Sequence, residues 1–185
     1  AYTFSFGNGI SASLSIEDSS TSDESITLVS VRRRADQWYA GVKTPDLVGN
    51  INVTQSWGSA QLSGVLRDNY GASAGKLGYA IQGGVKVNLP MLGAGDTVAL
   101  QASYGKGAVG YVSGGGIFSS AAWTDFTDNG LGTINQASAW AIAGGLNHNW
   151  TKAVATNLGA SYLQFNGDGT AFANIKQIDV QGNVV

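Results

Sequence analysis

The residues able to do chemistry are few. There is one histidine, His148, and no cysteine in 185 residues. General acid–base work would have to pass through that imidazole or a carboxylate, and thiolates, disulfides and cysteine-based zinc sites are excluded. A Ser-His-Asp hydrolase needs a nucleophile and an orienting acid fixed beside the ring. Serine is abundant, but no spacing ties one to His148, which falls near a short turn and reads as a rim residue. Gly83-Gly84, Gly144-Gly145 and Gly114-Gly115-Gly116 invite a phosphate-loop reading, yet no Lys-Ser/Thr pair or helix follows. The first two pairs suit strands that allow close backbone approach. Asp18-Ser19-Ser20-Thr21-Ser22-Asp23-Glu24 offers carboxylates and hydroxyls without the spacing of a calcium loop, and reads as a solvated connection. No enzyme, no cofactor and no metal is expected.

Charge is sparse. Lys, Arg, Asp and Glu make 12% of the residues, about half the usual share. A net charge of −2 leaves no basic footprint for nucleic acid. The densest cluster is Arg32-Arg33-Arg34. Twenty-seven glycines with two prolines and 10% aromatics disfavour disorder and favour tightly turning strands. The longest apolar stretch, Ala139 to Leu146, is far too short for a spanning helix.

The elements that must position these residues are strands. Tyr79, Ile81, Gly83, Val85, Val87 and Leu89 alternate with Ala80, Gln82, Gly84, Lys86 and Asn88, a period of two. The same alternation marks Ile10 to Glu17, Leu47 to Trp57, Leu62 to Tyr70, Thr97 to Tyr104 and Val154 to Leu163. It is weaker at Ala139 to Trp150, and Tyr2-Phe4-Phe6 ends one more strand. Eight antiparallel strands in sequential hairpins are expected, in one all-β domain over 1–185.

Their connections alternate short and longer, which is the rule in a transmembrane β-barrel with turns at one rim and loops at the other. On the outward parity there is no Lys, Arg or Glu, and the one Asp, Asp68, sits at a strand end. A mid-plane Lys or Arg would cost roughly 2–4 kcal/mol in lipid. Tyr2, Trp57, Tyr70, Tyr79, Tyr104, Trp150 and Tyr162 cluster at strand ends, as an aromatic girdle would. The inward parity is mostly Ser, Asn, Gln, Gly and Ala. It suits a water-filled channel wider than eight strands enclose, lined by Glu17, Asn50, Asn52, Arg67, Gln82, Lys86 and Gln101.

The stretches AYTFSFGNGISASLSIED (1–18), PDLVGNINVTQSWGSAQLSG (45–64) and GYAIQGGVKVNLPMLGAGDTVALQASYGKG (78–107) resemble porins of alphaproteobacterial outer membranes. The likeness extends to about residue 165, and Pro-Asp-Leu-Val followed by Gln-Ser-Trp-Gly-Ser-Ala-Gln is its most specific part. The resemblance implies a bacterial outer-membrane location among lipid and lipopolysaccharide, a homotrimer of sixteen-stranded barrels, and passage of small hydrophilic solutes and ions. It also implies an interior piece, about half a barrel, truncated at both ends. The family's N-terminal strands, the constriction segment that would precede Ala1, and a final strand ending in an aromatic residue are expected to be missing. The six-residue first strand, against the ~9–11 that span a membrane, agrees. Arg32, Arg33 and Arg34 then either reach the lumen as a constriction cluster or face solvent and lipopolysaccharide phosphates. The rival reading is a surface glycan-binding module that stacks sugars on Trp38, Tyr39, Trp123 and Phe126 and buries its oily face internally.

Overall fold

A computed structural model describes residues 1–17, 44–71, 73–113, 125–167 and 174–185. Nine strands form one antiparallel sheet: β1 (Tyr2–Gly7), β2 (Ile10–Glu17), β3 (Asp46–Gln55), β4 (Gly58–Tyr70), β5 (Gly75–Asn88), β6 (Thr97–Lys106), β9 (Ser138–Asn149), β10 (Ala155–Asn166) and β11 (Ile175–Val184). Between β6 and β9 lie a helical turn, α1 (Gly110–Ser113), and a small hairpin of β7 (Phe126–Asp128) and β8 (Ile134–Gln136). The sheet is open, with β1 and β11 at its edges. All eight strands expected from alternation are present. The ninth, β11, extends the pattern through Ile178, Val180, Gly182 and Val184.

Turn chemistry sets the register. Gly7, Asn8 and Gly9 all take positive φ, so the β1–β2 turn uses the two residue types that tolerate it. Gly58, at φ +143, opens β4 so close to β5 that a Cβ there would run into the Lys86 carbonyl oxygen. Trp57 in the preceding turn accepts the Asn88 amide at 2.8 Å.

Because side chains alternate, that register collects most of the aliphatic residues on one face. Leu14, Gly49, Gly64 and Ile81 form one cross-strand row, and Val85, Leu100, Gly144 and Ala160 form another. Leu62, Leu100 and Leu158 remain 52%, 56% and 54% exposed, so this face needs an apolar solvent. Along β6 its charges stand only at the two ends, Asp96 before the strand and Lys106 at its close. The ten rises from Asp96 to Lys106, at ~3.3 Å each and ~40° tilt, separate the two charges by a height of about 25 Å, that of the apolar band of such barrels.

Candidate functional site: the inward face of the sheet

Glu17, Asn50, Asn52, Arg67, Gln82, Lys86 and Gln101 all lie on the opposite parity, where the register sets them among Ser, Gly and Ala. Their surroundings divide this face in two.

Toward the long connections the face is covered. Inward residues Val48, Val65, Ala80, Ala139, Leu163 and Phe165 are apolar, and the β6–β9 connection folds over them with Ala108, Val109, Val112 and Ala137. Phe165 and Val109 are fully buried, each worth about 1.5–3 kcal/mol relative to exposure. Polar groups pin the cover at its margin. Arg67, from β4, is buried between two carboxylates: its Nη1 donates to Asp125 at 2.6 Å and its Nε lies 3.7 Å from Asp46. Asp125 also accepts the Gly110 amide, holding the start of α1. Tyr111 donates to Asp46 at 2.8 Å and to Glu17 at 3.3 Å. Burial pushes the Tyr111 phenol up, and the Asp46 carboxylate it serves adds to this. On the far side the β7–β8 hairpin is tied to the β4–β5 loop by Asp128, which accepts from the Ser73 amide and hydroxyl and from Gly130. Burial alone would raise the Asp128 carboxyl, but the Ser73 bonds and backbone amides outweigh it and hold the group below its ordinary value.

Toward the short turns the face is open. Gly84 of β5 lies between Gln61 and Gln101 in the cross-strand direction, with Gln82 and Lys86 two residues away along its own strand. These residues, with Asn52, Ser59, Ser63 and Ala99, line a hollow of about 240 Å³. Asn52 accepts from Thr54 and Gln61 donates to Ser63. Asn50, one register row toward the cover, accepts from Ser13 at 3.2 Å. Among the described residues Lys86 has no carboxylate partner. Glu17, exposed at the end of β2, also accepts from Ser15.

The aromatic positions fall at both rims. Tyr79 and Tyr104 meet at 6.2 Å near the long connections, joined by Trp140 and Tyr162 at 5.0 Å. Trp140, the third residue of β9, belongs to this group, whereas Tyr79 and Tyr162, expected at strand ends, lie four residues in from the ends of β5 and β10. Tyr70 closes β4, and Tyr2 packs edge-on against Phe4 at the start of β1. At the short turns, Trp57 is exposed and Trp150 packs edge-on against His148 while donating to Thr156. His148 Nδ1 is 2.5 Å from Asp96, which also accepts the Asn149 amide. The Asn149 amide, then His148, hold the Asp96 carboxyl below its ordinary range. His148 is thus committed to a turn contact at the rim. No group of three or more metal-ligating side chains occurs among the described residues. Arg32, Arg33 and Arg34, the Asp18–Glu24 stretch, Gly114-Gly115-Gly116, Trp38, Tyr39 and Trp123 lie outside the described residues, and Phe126 stands half-buried in β7.

In family comparison, the model of a porin subfamily matches residues 1–185. The chain belongs to that porin subfamily. Curated proteins and solved structures gave no match. Porins are a non-enzymatic channel family.

The covered half went unforeseen in the sequence. The signal for it is the apolar set Val48, Val65, Ala80, Leu163 and Phe165 on the otherwise polar parity.

Proposed function

We propose that the chain forms wall of a passive, water-filled channel for small hydrophilic solutes and ions in the bacterial outer membrane. Its outward face meets lipid and lipopolysaccharide, and the complete barrel, of sixteen strands, works as a homotrimer. Asn50, Asn52, Gln82, Gln101, Glu17 and Lys86 line the path, while Arg67 shapes it by fixing the cover on the inner wall. The observation that carries this is the polar hollow around Gly84 on the face opposite the exposed leucines. Polar groups lining a wide lumen let solutes shed and regain hydration without a large barrier, and fixed charges bias the ions that pass.

The test is ion conductance of the full protein in a planar bilayer. Stepwise conductance is expected. A folded protein that stays silent where a control porin conducts, or one that is a folded monomer in water without detergent, would sink this reading. The second outcome would revive a soluble module with a buried oily face.

A further inference from the structure

Within this channel reading, on which the inference rests, we propose that the hollow over Gly84 is a weak binding station for small hydroxylated carboxylates such as sugar acids. The floor is a glycine, so the site is one side chain deeper than the surrounding wall. Gln61 and Gln101 flank it across the strands, and Gln82 and Lys86 flank it along β5. Three primary amides present donors and acceptors together, which is the chemistry that reads hydroxyl groups. The one cation supplies a charge-assisted contact for a carboxylate.

Nothing lining the hollow is acidic, and Lys86 has no carboxylate partner among the described residues. Of the basic residues on this parity toward the cover, Arg67 is already held by Asp46 and Asp125 and Lys76 donates to the Ile134 carbonyl at 3.5 Å. An anion moving along the open half of the wall therefore meets an exposed charge at Lys86. The volume, about 240 Å³, is below the ~300–1,000 Å³ of sites for drug-sized ligands, which limits the occupant to a small solute. Amides alone would suit a neutral sugar. Lys86 shifts the preference to a sugar acid.

The probe is gluconate added to the full protein carrying chloride current in a planar bilayer, with sorbitol as the neutral polyol and acetate as the carboxylate without hydroxyls. Gluconate is expected to reduce the current saturably, and more strongly than either control at equal concentration. Lys86→Gln should raise the half-blocking concentration about tenfold, the loss of one charge-assisted contact, and Lys86→Arg should retain the block. Gly84→Ala should weaken it severalfold while the barrel still folds, because the added methyl meets only the Leu100 carbonyl at 3.6 Å and the Gln101 side chain at 3.8 Å. Equal block of wild type and Lys86→Gln, or equal block by acetate and gluconate, would overturn the station. A conducting protein that gluconate does not affect refutes the station alone. A folded, inserted protein with no conductance removes the channel reading and the station with it.

Discussion

Arg67 and Lys86 are both cations on the inward parity of adjacent strands, yet they have opposite fates. Arg67 is 8% exposed and sits between two carboxylates under the β6–β9 connection. Lys86 is exposed beside a glycine and three glutamines. Parity decides which face a side chain takes, whereas what folds over that face decides whether its charge acts on the protein or on whatever passes. In the covered half, charge holds a loop in place. In the open half it stays exposed and without a carboxylate partner among the described residues.

The largest expected way to break this contrast is Arg67→Ala. Removing one partner of a buried ion pair leaves Asp46 and Asp125 uncompensated and should cost about 3–5 kcal/mol, read as a lower denaturation midpoint. Residues 125–137 should become protease-sensitive and single-channel conductance should rise as the cover detaches. If conductance and proteolysis stay at wild-type values, the cover is not held by Arg67. Tyr111→Phe removes the hydroxyl that serves Asp46 and Glu17, and should cost about 1.5–3 kcal/mol, the range for hydrogen bonds to charged groups. Amide exchange should then speed up around α1 and leave β5 and β6 unchanged.

Acid should separate the halves more gently. Asp128 is held below its ordinary value of 3.8, so its stabilising contribution is complete above that pH and is lost as pH falls through the lower folded value. Amide exchange in the β7–β8 hairpin should therefore accelerate on acidification below about pH 4. Asp128→Asn should be faster at neutral pH and lose much of that acid dependence. The smallest effect on stability belongs to Lys86→Gln, within about 0.5 kcal/mol as for a surface substitution. The same variant should move the reversal potential toward cations, and an unchanged potential would remove Lys86 from the conduction path.

Much of the sheet was legible because its register keeps most aliphatic rows on one face. Ile81, Leu100 and Leu158 announce that face without help from the structure. The fate of Arg67 was not legible, since alternation gives a side but neither a height along the strand nor a cover. Residues 107–137 contain no long alternating run, so the packing of Ala108, Val109, Val112 and Ala137 on Val65, Ala80 and Phe165 could be suspected only from those apolar residues standing on the polar parity. The hollow is a similar case. Gln61, Gly84 and Gln101 lie on three different strands, and only the pairing register places them side by side. Gly83-Gly84 invited thoughts of phosphate, but what the structure shows is Gly84 flooring the hollow between Gln61 and Gln101.

The nine-strand sheet has a consequence in counting. With every neighbour antiparallel, the first and ninth strands point the same way, so β1 and β11 cannot close on each other and preserve the pattern. An all-antiparallel ring that includes this sheet needs an odd number of further strands between those two edges, whether three or seven. Sequence changes that add or delete a single strand would therefore face an orientation mismatch at the seam, while those that add or delete a hairpin would leave the seam intact.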